Sequence, residues 1–309
     1  MGAQAEIREG SFRAANGTTL WYREAGTGDA IVLCDGLGCD GFIWKYLFPT
    51  LATTHRVIHW HYRGHGNSQA SGRWDDYGIE PFSADLLELM EHLRLESAIL
   101  MGHSLGVQVI LQCALDCAAR GEAQRVRALF PLCGAPGRPL DTFKNTSVGL
   151  RVLPWLQHVA EVYREPTQRL WRSLLPSAAI RWWASKTEIN DQLMSIDDLA
   201  PYLERLSRMD PRVFLATLSA ASVHDVTREL AGIAAPTLVV AAERDTFTPL
   251  ERSSAMVRGL PNAEMLVLPR ATHTGPLEWP ELLQLRIRRF LRDHGLGADR
   301  PMDVCAPTG

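Results

Sequence analysis

Ser104 stands between two glycines in Gly102-His103-Ser104-Leu105-Gly106, and a serine in the pattern Gly-x-Ser-x-Gly can serve as an attacking nucleophile. The apolar run Ala98-Ile99-Leu100-Met101 enters the motif and a long apolar segment from Val107 to Ala119 leaves it. That pattern predicts strand, tight turn and helix with the serine at the turn, the arrangement called a nucleophile elbow. The turn holds its serine in a strained backbone conformation, and side chains at 102 or 106 would crowd it. A helix starting behind Ser104 also aims its N-terminal dipole and free N–H groups at the reacting site. An ordinary strand-to-helix turn fits the same five residues, and the flanking pattern favours the elbow.

A serine nucleophile needs a base, an acid that orients the base, and donors for the oxyanion. The apolar run Thr237-Leu238-Val239-Val240-Ala241 leads to Glu243-Arg244-Asp245-Thr246-Phe247-Thr248-Pro249, and Met265-Leu266-Val267-Leu268 leads to Pro269-Arg270-Ala271-Thr272-His273. In a parallel sheet both loops open on the same carboxyl edge as Ser104. Singly, Asp245 also reads as a helix cap before Pro249, and His273 as a surface loop histidine. Together, in the order Ser104, Asp245, His273, they form a triad: His273 takes the serine proton and Asp245 holds the imidazole in the required tautomer.

The elements that must position these residues alternate along the chain. Gly17-Thr18-Thr19-Leu20-Trp21-Tyr22 enters a strand from a hairpin turn, and Ala30-Ile31-Val32-Leu33-Cys34 is a continuous apolar run ending in Asp35-Gly36-Leu37-Gly38. A helix is expected near Phe42 to Leu51, then a strand over Arg56-Val57-Ile58-His59-Trp60-His61, a helix from Phe82 to Leu93, and a strand from Ala128 to Cys133 in which Pro131 fits poorly. Strands alternating with helices predict an α/β fold with a mostly parallel central sheet flanked by helices. The stretch 136–228 breaks the rhythm with helical pattern and no strand, and reads as an inserted helical cap between core segments 1–135 and 229–295. Trp155, Trp171, Trp182 and Trp183 in that cap are candidates to line an apolar substrate pocket, or simply to hold the cap together. Residues 296–309 read as a loose tail.

Composition narrows the class. The chain has 309 residues, 46% apolar and 22% charged, as in globular proteins, and a net charge of −3 gives no basic surface for nucleic acid. The start lacks a basic-then-apolar signal region and no apolar run is long enough to span a bilayer, so a cytoplasmic protein is expected. Cys34, Cys39, Cys113, Cys117, Cys133 and Cys305 form no Cys-x-x-Cys pair and suggest neither zinc nor a disulfide framework.

From about Gly17 to Leu291 the chain resembles the α/β-hydrolase family of serine hydrolases with a helical cap, esterase- and lipase-like. The resemblance rests on Gly102 to Gly106, Arg63-Gly64-His65-Gly66-Asn67-Ser68, Asp245 with Pro249, and His273 followed by Glu278 and Pro280. It implies an oxyanion hole at the turn Gly36-Leu37-Gly38, formed by the backbone N–H groups of Leu37 and Leu105. The chain departs from the family twice. Asp35 stands where the family usually has His before the glycine pair, and His61 where it usually has Asp at the end of the next strand. An exchanged pair is expected, with Asp35 and His61 in contact below the oxyanion turn. The Asp-Gly at this turn is also similar to fungal resorcylic-lactone hydrolases, which implies a lactone as a substrate to test.

Other readings compete for the same residues. Gly36-Leu37-Gly38-Cys39-Asp40-Gly41 fits Gly-x-Gly-x-x-Gly, but His59-Trp60-His61 supplies no acid where a dinucleotide fold needs one. His59, His61 and His65 suggest a metal, against packing at a strand end and hydrogen bonding in a loop. A low-turnover receptor of the same fold would keep the triad. The sequence therefore predicts a carboxylic ester hydrolase acting on a hydrophobic small molecule through an acyl-enzyme, with no metal or organic cofactor. Lactones, thioesters and carbon–carbon bonds are alternatives on the same triad. Arg151, Arg164, Arg169, Arg172 and Arg181 could bind a substrate carboxylate or merely solvate helix faces. A homo-oligomer is left open.

Overall fold

The computed structural model describes residues 5–141, 148–187, 190, 192–194 and 196–297. Eight strands form one sheet: β1 (Arg8–Arg13), β2 (Thr19–Ala25), β3 (Ala30–Cys34), β4 (Arg56–Trp60), β5 (Ala98–His103), β6 (Val126–Leu132), β7 (Thr237–Ala242) and β8 (Ala263–Leu268), in the order β1-β2-β4-β3-β5-β6-β7-β8. β1 and β2 pair antiparallel, β2 runs antiparallel to β4, and the rest is parallel. The central strands are mostly apolar because both their faces are covered, and β3, β5 and β7 are buried along their whole length.

The expected helix at 42–51 is two shorter pieces, a 3-10 turn over Phe42–Trp44 and α1 (Leu47–Leu51). α2 (Ile79–His92) and α3 (Leu105–Ala119) pack on each other beneath the sheet's centre. Pro131 does lie inside β6, opposite Gly102. Leu129 and Cys133 donate their N–H groups toward β7, to Pro236 and Val240, so the proline's missing donor falls between two ladder bonds.

Between β6 and β7 the described residues form five α-helices: α4 (Val148–Val162), α5 (Arg164–Leu174), α6 (Ala178–Thr187), α7 (Ile196–Arg208) and α8 (Pro211–Val223). The chain leaves and returns through a narrow neck, where Gly137 bridges Asp225, Arg138 N–H donates to the His224 carbonyl and Val226 N–H to that of Pro136. A Cβ on Gly137 would lie 2.4 Å from the Asp225 Cα. α9 (Leu250–Gly259), α10 (Gly275–Glu278) and α11 (Pro280–Asp293) complete the core. Leu296, read as the first residue of a loose tail, is instead buried, and His55 Nε2 meets its carbonyl at 3.1 Å; residues 298–309 of that expected tail lie outside the described residues.

Arg63, just beyond β4, is pinned to α2 by two parallel bonds to Asp85, at 2.7 and 2.6 Å, with both side chains buried. A buried pair is costly to halve because the remaining charge loses its partner without regaining water. Asp76, 3.4 Å from Arg63 Nη1, stays as a partial substitute. Asp85→Ala should therefore lower the unfolding free energy by about 3 kcal/mol, read from urea denaturation at neutral pH.

Candidate active site

Ser104 is the N-cap of α3, with φ 54° and ψ −113°. This left-handed backbone is paired on both sides: Ser104 N–H donates to Leu132 O, and Val107 N–H to Ser104 O. The flanking glycines are sterically required. A Cβ at Gly102 would lie 2.3 Å from the Gly106 carbonyl oxygen, and one at Gly106 would lie 2.2 Å from that of Cys34.

The loops after β7 and β8 bring Asp245 and His273 to the serine. His273 Nε2 is 2.9 Å from Ser104 Oγ, and His273 Nδ1 is 2.9 Å from Asp245 Oδ2. With Nδ1–H donated to the carboxylate, Nε2 is left as an acceptor for the serine O–H. Asp245 is fully buried and also accepts from the N–H groups of Phe247 and Thr248 and from Thr248 Oγ1. Burial alone would raise its carboxyl; the His273 ring and these donors outweigh burial and hold it below the usual carboxylate range.

The His273 loop has two supports that the sequence reading did not assign. His103, the variable residue before Ser104, sets Nε2 2.9 Å from the His273 carbonyl. Its burial and the neighbouring His273 push its pKa down to about 3, so it is neutral and donates this bond. Glu278 accepts from Thr272 N–H and Oγ1 and from Asn190 N–H, joining the loop to residues between α6 and α7. The only sequence signal for either was its place beside a motif residue. Phe247 stacks on the His273 ring at 4.8 Å.

The turn after β3 lies against the elbow. A Cβ at Gly36 would be 3.3 Å from Ser104 Cβ, and Cys39 N–H closes the turn onto the Gly36 carbonyl. Leu37 is thus beside the serine, and Leu105 opens α3 immediately after it. The expected contact between Asp35 and His61 is corrected. Asp35 Oδ2 is 2.8 Å from His59 Nε2, and Oδ1 accepts from Trp44 Nε1 at 2.6 Å. β3 and β4 are neighbours in a register pairing Leu33 with His59, which points both histidines at Asp35's side. His61 is held elsewhere: its Nδ1 accepts from Asn67 N–H at 2.9 Å and its ring stacks on Trp21 at 4.3 Å. Burial and nearby His59 push the His61 pKa down to about 3.

Among the described residues, Asp35, His59 and His61 could hold a metal, with ligand-type atoms within 4.8 Å of one another. Both Asp35 oxygens and one nitrogen of each histidine are already hydrogen-bonded. His65 is not in this cluster and sets its Nδ1 against the Arg63 carbonyl. The glycine-rich turn runs into the short 3-10 piece at Phe42–Trp44 rather than into the long helix of a dinucleotide site.

The tryptophans are not grouped. Trp155 and Trp182 are 62% and 67% exposed, because the inward faces of α4 and α6 carry Leu153, Ala160 and Ile180 instead. Trp171 turns inward, donates Nε1–H to Leu206 O at 2.8 Å and rests on Phe214. The side chain of Trp183 lies outside the described residues. What covers the turn after β3 is Leu206 of α7 and Phe214 of α8, both against Gly38, with Val213 against Gly64. Arg205 adds an ion pair with Asp40 at 2.6 Å.

Residues 29–280 match the family described as alpha/beta hydrolase fold. The chain is 26% identical over 247 residues to the magnesium-chelatase 30 kDa subunit of Rhodobacter capsulatus, covering 79% of this chain and 81% of that one. It is 27% identical over 282 residues to the 2-hydroxy-6-oxononadienedioate/2-hydroxy-6-oxononatrienedioate hydrolase of Paraburkholderia xenovorans, covering 88% and 90%. Among solved structures, the enol-lactonase of Burkholderia xenovorans superposes with a TM-score of 0.72 at 22% identity, covering 92% of this chain and 100% of that one.

Asp35→Ala strands two buried donors, on Trp44 and His59, and should cost about 2–4 kcal/mol of stability. Burial works to raise the Asp35 carboxyl, and His59, then His61 nearby and the Trp44 hydrogen bond, together bring it below the ordinary 3.8. The unfolded chain therefore binds more protons near that pH, so the Asp35 contribution is complete above it and lost in stronger acid. The stability gap between wild type and Asp35→Ala, measured by denaturation across pH, should narrow below pH 3.8.

Proposed function

The chain belongs to the alpha/beta hydrolase fold family, and on that premise we propose that it is a serine hydrolase cleaving carboxylic esters of a hydrophobic small molecule. The observation that carries this reading is the continuous line from Ser104 Oγ to His273 to Asp245, with both links at 2.9 Å. Ser104 Oγ attacks the ester carbonyl as its proton passes to His273 Nε2. The backbone N–H groups of Leu37 and Leu105 receive the oxyanion, an interaction whose loss typically costs about 10² to 10³ in rate. His273 then protonates the departing alkoxide, leaving the acyl group on Ser104. A water, deprotonated by the same nitrogen, releases the acid and restores the serine. Asp245 keeps the imidazole in the accepting tautomer throughout.

Leu206, Val213 and Phe214 over the glycine turns support an apolar substrate. This apolar cover replaces the tryptophan-lined wall expected from sequence. A cyclic ester opens by the same steps, and the Paraburkholderia relative, named as a hydrolase of an oxo-dioate, supports including such a dioate beside esters and lactones.

Hydrolysis of p-nitrophenyl esters across acyl lengths tests the reading, with wild type and variants side by side. Ser104→Ala should lose about 10⁴ to 10⁶ in kcat, and His273→Ala a similar factor. Asp245→Asn should be milder, near 10⁴. Undiminished turnover in clean Ser104→Ala protein overturns the mechanism. Wild type inert toward the whole panel, with the triad intact, favours a ligand-binding role instead.

A further inference from the structure

The helices between β6 and β7 stack in two layers. α7 touches the 3-10 turn after β3 and α8 touches α2, while α4 packs on α8, α5 on both α7 and α8, and α6 on α7. The inward faces of this outer layer are ordinary core, with Leu153, Ala160 and Trp171 buried or half-buried. Its outward faces are not ordinary surface. Of the fourteen exposed large hydrophobic side chains among the described residues, eight lie within 152–182. On α4, Val152, Trp155, Leu156 and Val162 recur at helical spacing, and Tyr163, at 59% exposed, carries the stripe into α5, where Leu170 is 61% exposed. Patches of this extent mark interaction surfaces.

Charge identifies what the surface fits. Residues 148–187 hold six Lys and Arg against two Glu, in a chain of net charge −3. The cations are interleaved with the exposed apolar groups: Arg151 adjoins Val152, Arg164 adjoins Tyr163, Arg169 adjoins Leu170 and Arg181 adjoins Trp182. A protein interface gathers apolar residues centrally and polar ones at its rim. Here four of the six cations adjoin an exposed apolar residue in sequence, an interleaving that a bilayer satisfies, with phosphates directly above acyl chains. Indole and phenol rings also prefer that boundary. A second copy of this chain is a poor occupant, since a two-fold contact would set these cations against themselves.

We propose that the outer faces of α4, α5 and α6 dock on an anionic lipid bilayer. The attachment is peripheral, because no helix among the described residues is long and apolar enough to cross a membrane. It brings the cap, and the site beneath it, to the lipid surface.

Vesicle flotation of the full chain tests this, comparing pure phosphatidylcholine with phosphatidylcholine containing one-third phosphatidylglycerol. Binding should favour the anionic vesicles by about tenfold or more and fall with added salt. Arg169→Glu with Arg181→Glu should weaken it more than about tenfold, and Trp155→Ser should weaken it without removing the salt dependence, each with an unchanged circular dichroism spectrum. No vesicle binding, equal binding to both vesicles, or binding indifferent to both variants overturns the proposal. So does a dimer in sedimentation velocity that Trp155→Ser dissolves in a chain that ignores vesicles, which would assign the face to a second copy.

Discussion

A side chain at position 106 would collide with the Cys34 carbonyl oxygen at 2.2 Å, and that absence of space governs the site. It lets the first turn of α3 settle on the end of β3, so the serine turn and the glycine turn share one wall. Ser104 accepts a φ of 54°, a strain of about 1–3 kcal/mol, because its N–H and carbonyl are both bonded and buried strands flank it. From that fixed point the nucleophile, the N–H of Leu105 and the turn carrying Leu37 have little freedom relative to one another. Asp245 and His273 then need only arrive from the two strand ends on the far side, β7 and β8.

Two buried carboxylate–histidine pairs flank this point, and their differences explain their roles. Asp245 meets His273 Nδ1, and the opposite nitrogen reaches a serine hydroxyl. Asp35 meets His59 Nε2, and the opposite nitrogen faces the backbone at Gly41, where an added Cβ would lie 3.2 Å away. The first pair ends on a reactive atom; the second ends on a wall. Asp35 also holds Trp44, while its own carbonyl accepts from Tyr62. The same carboxylate–histidine pairing that meets a serine hydroxyl on one side of the elbow therefore clamps the turn after β3 on the other.

The strand sequence and the Ser104, Asp245 and His273 positions were legible because each is signalled locally, by an apolar run followed by a loop with a reactive side chain. The sheet order then does the gathering, and parallel strands leave only one edge for those loops. β1 was missed because Arg8–Arg13 is an exposed edge strand with one buried side chain and no apolar run. The partner of Asp35 was misread by one side-chain repeat of β4. Register alone sets positions 35 and 61 level, and the Asn67 N–H, delivered by a loop, together with the Trp21 ring, holds His61 instead. The tryptophans were beyond reach for a related reason: apolar periodicity marks a face of a helix but not which face meets the core, and α4 carries an apolar stripe on its outer side as well.

The one tryptophan shown turned inward ties the two cap layers to the site. Its indole N–H needs an acceptor once buried, and Leu206 O, in the last turn of α7, accepts it together with the Met209 N–H. The side chain of that same Leu206 presses on Gly38, and its neighbour Arg205 is paired with Asp40. The height of α7 above the turn after β3 is thus set from above by Trp171 and from below by Gly38, whose φ of 67° and missing Cβ allow the approach. α5 thus reaches the turn after β3 through one hydrogen bond to α7 and one side-chain contact from α7.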